Sequence, residues 1–294
     1  MTNSWMEPPS RPALESALPL LLKQLKLAQF RSQWQQTEQE ARAGNWDPAG
    51  YLYVLAEQEH QQRHQGRLQR LLKEAQLPWS KSLADYDWIC LPELQRGQIE
   101  QFSHDTAWID RGENLLLFGP SGVGKTHLAA GLCRSLISLD RSCRFFCATT
   151  LVQQLQQAKA DYALAKSLSR LDRFALLVVD DISYVRRDEA ETSVLFELIA
   201  HRYERRSLLV TSNQPFSDWE TIFCNTAMTV AAVDRLVDHS TLIQIKAESY
   251  RRRRARNLAE EGGTAGVAAE GEAPAPRRQN RPRPAGAEPI PPGA

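Results

Sequence analysis

Gly119-Pro120-Ser121-Gly122-Val123-Gly124-Lys125-Thr126 lies between an apolar run at 114–118 and an amphipathic stretch, and it constrains this chain more than any other feature. It is a complete GxxxxGK[ST] match set between a strand and a helix. Phosphate binding needs those residue types in that order. Glycines let backbone N–H groups close around phosphate oxygens, and a helix N-terminus from about Gly124 adds positive dipole. Lys125 then reaches the β- and γ-phosphates, and the Thr126 hydroxyl is placed to ligate Mg²⁺. A chance glycine-rich turn would meet the spacing without the flanking strand and helix.

From there the pattern alternates. Short apolar runs at 114–118, 143–147, 174–179, 207–211 and 242–245 are separated by helical candidates. One spans 126–139, with Leu128, Ala129, Leu132, Cys133, Leu136 and Ile137 on one face, and another spans 190–205. Alternation of this kind predicts an α/β fold with a parallel sheet sandwiched by helices. The region 14–73 differs. It is rich in Leu, Gln, Glu and Arg with helical spacing, and predicts a small all-α N-terminal domain over 1–78, in which Glu57 to His64 reads as a solvated polar face. A connector at 79–96 follows, then the nucleotide domain at 97–256.

Composition bounds the rest. The 294 residues are 42% hydrophobic and 24% charged, which excludes disorder of the whole chain, and 36 Lys and Arg against 35 Asp and Glu leave partner choice to local clusters. Five cysteines without a CxxC pair argue against a disulfide framework and a zinc site. No apolar stretch approaches the ~18 residues of a membrane span, so a cytoplasmic protein without a membrane partner is expected. Residues 257–294 contain 22 Gly, Pro or Ala, too little aliphatic surface to offset ordering entropy, and read as a disordered tail. An arginine cluster, Arg251 to Arg254 with Arg256, precedes it.

A nucleoside triphosphatase also needs an acid for the metal at a buried strand tip. Phe174-Ala175-Leu176-Leu177-Val178-Val179-Asp180-Asp181 supplies two. Asp180 is the candidate Mg²⁺ ligand with Thr126, and Asp181 is the candidate that orients and polarises the attacking water.

With these strings the chain resembles the IstB-type ATPases, helper proteins of insertion-sequence transposases, grouped with the helicase loader DnaC and the initiator DnaA among AAA+ proteins. The resemblance rests on Gly119 to Ala129, which includes His127, and on Leu176 to Asp181, Arg202 to Asn213, Asp234-Arg235-Leu236 and Glu248-Ser249-Tyr250-Arg251. Ser183 and Ala247 stand where the family usually has Gly. The resemblance implies a P-loop AAA+ sheet, ATP and Mg²⁺ as cofactors, and Asn213 as the polar residue that contacts the γ-phosphate or its attacking water. Arg235 matches the position of an arginine finger directed at a neighbouring subunit's nucleotide. Too few residues follow the fifth run for the helical lid of a full AAA+ module.

The partners implied are duplex DNA read largely without sequence preference, a transposase of the same element, and further copies of this chain assembled on DNA with ATP. Lys23, Lys26, Arg31, Arg202, Arg205, Arg206 and the Arg251 to Arg256 cluster are the candidate phosphate contacts. A DnaC-like helicase loader would use the same motifs with a different client. A P-loop kinase of a small metabolite would explain the loop alone.

Overall fold

Each of the five apolar runs forms a strand, and every strand pairing is parallel: β1 (Asn114–Phe118), β2 (Cys143–Cys147), β3 (Leu176–Asp180), β4 (Ser207–Ser212) and β5 (Ser240–Gln244), in the order β2-β3-β4-β1-β5. The computed structural model describes residues 9–78, 81–88, 91–182, 188–215, 218–219 and 226–246. β5 starts two residues before its apolar run because it is an edge strand, where Ser240 and Thr241 are only half-buried and polar side chains are tolerated.

Alternation along the strands divides the interior into two layers. Leu115, Leu117, Leu176, Val178 and Leu209 face one cluster, while Leu116, Phe118, Leu177, Val179, Leu208 and Val210 face the other. Helices α4 (Glu93–His104), α5 (Ala107–Asp110) and α6 (Lys125–Ser138) supply residues to the first layer. Helices α7 (Ala148–Ala160), α8 (Leu164–Leu171), α9 (Glu189–Arg202) and α10 (Thr226–Val237) supply the second. A sheet buried on both faces needs continuous apolar strands, which is why β1, β3 and β4 are buried along their full length. Among the described residues no helix follows β5; the arginine cluster, the tail, Ser183 and residues 247–250 lie outside the described residues.

The N-terminal helices are α1 (Arg11–Gln24), α2 (Ala28–Ala43) and α3 (Pro48–Ala75). Leu22, Trp34 and Leu55 form their own small core with Leu14, Leu18, Leu27, Phe30 and Tyr51. At 28 residues α3 is about 42 Å long, long enough to serve two cores. Its second half sends Leu68, Leu71, Leu72 and Ala75 into the first layer of the sheet, and the Glu74 carbonyl accepts from Arg144 of β2 at 2.6 Å. Packing is therefore continuous across residue 78. α4 likewise begins inside the stretch 79–96 and buries Ile99 completely.

Two charged residues sit differently from their sequence reading. Glu59, within the polar stretch 57–64, is buried: it accepts from the Gln29 backbone N–H at 2.7 Å and from Arg63 at 2.7 Å. It thereby caps α2, whose own N-cap position, Leu27, has no capping side chain. Arg202, a candidate DNA contact, is fully buried instead. Its guanidinium donates to the carbonyls of Leu171, Phe174 and Ser207 at 3.0–3.1 Å and lies 3.6 Å from Asp172. Burial pulls its pKa down to about 10 against the opposing charge of Asp172. An arginine so enclosed ties β4 to the start of β3 and cannot meet a phosphate backbone.

Candidate nucleotide site

In an open parallel sheet, ligands bind beyond the carboxyl ends of the strands. Here those ends bring β3, β4 and β1 side by side, although they are 176–180, 207–212 and 114–118 in the chain. The loop after β1 carries the glycine motif, β3 ends on Asp180, and β4 is followed by Asn213. The Gly119 N–H donates to the Ser212 carbonyl at 3.2 Å, which fixes the start of the loop to β4.

The loop geometry depends on its glycines. Gly119, Gly122 and Gly124 have φ of 154°, 86° and 97°, which L side chains rarely adopt. A Cβ at Gly119 would lie 2.6 Å from the Ile245 carbonyl oxygen, and one at Gly124 would lie 2.7 Å from the Tyr86 ring. Pro120 and Ser121 lie on the outside of the turn, and Val123 is buried beneath it. Gly124 is the N-cap of α6, so the orphan N–H groups of its first turn open toward the loop.

Lys125 is the first residue of α6 and is 5% exposed. Its ammonium donates to the carbonyls of Gly119 at 2.7 Å and Pro120 at 2.9 Å, curling the loop around its charge. Burial lowers its pKa, partly offset by the negative charges of Asp181 and Asp180. The Thr126 hydroxyl donates to the Asp180 carboxylate, 3.1 and 3.0 Å from its two oxygens. Burial pushes Asp180 above the usual aspartate range, while the hydroxyls of Thr211 and Thr126 pull it back. Asp181 has φ of 60°, in the left-handed region, which turns the chain sharply away from β3.

A hydroxyl and a carboxylate in contact are hard oxygen donors. Their pairing fits Mg²⁺, which is usually held by one or two carboxylates together with substrate phosphates and waters. The glycine cradle, the buried ammonium and the open helix terminus fit a triphosphate.

The structure therefore brings together Gly119 to Thr126, Asp180 and Asp181, with half-buried Asn213 on the adjoining strand end. His127, the loop's neighbour, meets the connector: its Nε2 is 2.9 Å from the Ser82 carbonyl oxygen and its ring lies edge-on to Tyr86. Arg235 is not among the gathered groups. It is half-buried on α10, donates to the Ala231 carbonyl of its own helix at 3.1 Å, and stacks over Phe196 of α9. Among the described residues it makes no ion pair with Asp234 or Asp238.

Two residues of the site were not among the sequence candidates. Thr211 donates to Asp180 at 2.6 Å from β4. Tyr86 lies edge-on to Trp88 and His127 and donates to the Val123 carbonyl at 3.2 Å, closing the connector over the loop. Tyr86 sits in a non-periodic stretch, and only its pairing with Trp88 in sequence hints at a packed element.

Comparison with known proteins agrees with this geometry. Residues 20–258 match the family of IstB-like ATP binding proteins. The chain is 43% identical over 241 residues to an insertion sequence ATP-binding protein of Sinorhizobium fredii, covering 82% of this chain and 81% of that one. It is 34% identical over 234 residues to the insertion sequence IS21 ATP-binding protein of Pseudomonas aeruginosa, covering 80% and 88%. The crystal structure of the DnaC helicase loader superposes with a TM-score of 0.50 at 20% identity, over 57% of this chain and 98% of that one, which shows a shared fold. No helix among the described residues is long and apolar enough to cross a membrane. Matched over most of its own length and most of the length of these relatives, the chain belongs to the IstB-like family of ATP-binding proteins.

Proposed function

We propose that this protein is an ATP-hydrolysing assembly factor: copies carrying ATP associate around duplex DNA, remodel it, and recruit the transposase of the same insertion sequence. The observation that carries the reading is the contact of the Thr126 hydroxyl with the Asp180 carboxylate beside the buried charge of Lys125. Mg²⁺, held by Thr126 and Asp180, would supply charge neutralisation at the phosphates.

The chain's own groups do the rest. Lys125 binds the β- and γ-phosphates, and the loop N–H groups orient them. Asp181, set at the sharp turn after β3, accepts a proton from the attacking water. Asn213, just after the strand between the two motifs, carries an amide able to donate to the γ-phosphate and to accept from that water. Arg235 is absent from its own protomer's cluster, which supports a role at the nucleotide of a neighbouring copy, so that hydrolysis requires assembly.

Surface features support the partners. Lys23, Lys26, Arg31, Arg205 and Arg206 are exposed, as phosphate contacts must be. On the N-terminal helices Leu20, Leu25 and Tyr53 are 64%, 66% and 67% exposed, apolar surface suited to a protein client such as the transposase.

The test is ATP turnover and particle mass of the full chain, measured with and without duplex DNA across a salt series. Both should rise with DNA and fall steeply with salt, and Lys125→Ala should show neither response. Full-rate turnover by an isolated protomer, indifferent to concentration and to DNA, would overturn the reading.

A further inference from the structure

Thr211, next to last in β4, is completely buried and holds the turn after β3 at three points. Its hydroxyl donates to Asp180 Oδ1 at 2.6 Å and accepts from the Asp181 backbone N–H at 2.9 Å. Its carbonyl accepts from the Ile182 N–H at 3.0 Å. A hydroxyl has one proton and two lone pairs, so the proton goes to the Asp180 carboxylate and a lone pair takes the Asp181 amide.

Each contact bears on a different acid. Asp180 receives hydroxyl protons from two elements, Thr126 on α6 and Thr211 on β4, which fixes the plane of its carboxylate. Asp181 holds a left-handed φ of 60°, a conformation unfavourable for a residue with a Cβ, and its N–H is tied to Thr211 in that state. The next residue, Ser212, accepts from Gly119 of the phosphate loop. Adjacent residues of β4 thus grip both halves of the site. A threonine kept for packing alone would be served equally well by valine, which has nearly the same shape, keeps the carbonyl bond to Ile182 and lacks both hydroxyl bonds.

We propose that Thr211 is the positioning residue of the acid pair: its hydroxyl sets the Asp180 carboxylate for the metal and holds Asp181 in the turn that presents it to water. This rests on the ATPase reading above. The string Arg202 to Asn213 carries part of the family resemblance, but nothing in it assigns Thr211 a role.

Thr211→Val removes the hydroxyl and keeps the shape, whereas Thr211→Ser keeps the hydroxyl and removes the methyl. Both are compared with wild type, as full chains, by thermal unfolding without nucleotide, by binding of a fluorescent ADP in EDTA, by the gain in that binding on adding Mg²⁺, and by ATP turnover. T211V should bind as wild type in EDTA, lose about tenfold or more of the Mg²⁺-dependent gain, and turn over slowly even at saturating ATP. T211S should stay within about threefold of wild type in both. Wild-type Mg²⁺ dependence in T211V would overturn the proposal, as would T211S impaired as severely as T211V, which would assign the effect to methyl packing. If T211V does not fold, Thr211→Ala against T211S makes the same comparison. A wild-type chain that bound no nucleotide would instead bring down the ATPase reading, and the proposal with it.

Discussion

Thr126, on the first turn of α6, and Asp180, at the tip of β3, are 54 residues apart in the chain and 3.0 Å apart in space. That contact exists because β4 lies between β1 and β3, so the phosphate loop and the acidic strand end open onto one edge of the sheet. The site is therefore a product of strand order, and substitutions that spare the order while removing single groups separate the roles.

Asp181→Asn removes the carboxylate base and keeps a residue type that tolerates the left-handed φ of 60° at this position. Nucleotide binding should persist while turnover falls by about 100-fold or more. The DNA-bound assembly should then outlast that of wild type in a sedimentation or size-exclusion measurement. Normal turnover would remove Asp181 from its role.

Arg235→Ala should leave nucleotide affinity intact and abolish assembly-stimulated hydrolysis, a loss on the order of 10³-fold. Mixing it with Asp181→Asn is decisive. Mixed particles regain sites that combine an intact Asp181 with a neighbour's Arg235, so activity should recover in the mixture. Failure to recover would return Arg235 to its own protomer.

Gly119→Ala forces a Cβ to 2.6 Å from the Ile245 carbonyl oxygen at a φ of 154°. Backbone cannot step aside as a flexible side chain can, so stability should fall by about 1–3 kcal/mol and nucleotide binding should weaken. Gly66, inside α3, is the opposite case, because a Cβ there would meet nothing within 4 Å. Gly66→Ala should raise stability by about 0.5–1 kcal/mol, read by thermal unfolding.

Arg202→Leu and Arg205→Ala should part cleanly. The first strips donors from buried carbonyls and should cost about 3 kcal/mol of stability or more, with DNA affinity of the folded protein unchanged. The second removes an exposed charge; it should leave stability nearly unaltered and lower the salt slope of DNA binding by about 1.

Glu59 gives a pH signature. Burial pushes its carboxyl up, but the bonds from Arg63 and the Gln29 N–H outweigh burial and hold its pKa below the usual glutamate range. A depressed pKa contributes stability that is full above the unfolded value and is lost as pH falls through the folded value. Glu59→Gln should therefore lower stability by about 1 kcal/mol at neutral pH and flatten the acid limb of thermal unfolding. An unchanged acid limb would exclude Glu59 as a contributor.

Much of this protein was legible from residues alone because it is written locally. The phosphate loop is contiguous, and the run at 114–118 coincides with β1 to the residue because a strand buried on both faces must be apolar along its length. Asp180 and Asp181 end an uninterrupted apolar run, which marks a strand tip. Other features depend on what packs against what. Nothing in Arg202 distinguishes a buried arginine from the exposed Arg205 three residues on, nor Glu59 from its solvated neighbours. Periodicity reports which face of an element is apolar, but not which distant polar group will meet it.

The chain's own order of residues determined that it would bind phosphate, at Gly119 to Thr126, on an α/β scaffold with acids at a strand end. Tertiary structure alone decided that β4 would come between the two motifs, placing Thr211 against Asp180, that Tyr86 would cover Gly124, and that Arg235 would lie on Phe196. The physical reason is that glycine conformation and strand hydrophobicity are set within a few residues. Strand order and buried polar partners are set by the simultaneous burial of both sheet faces, which involves the whole chain.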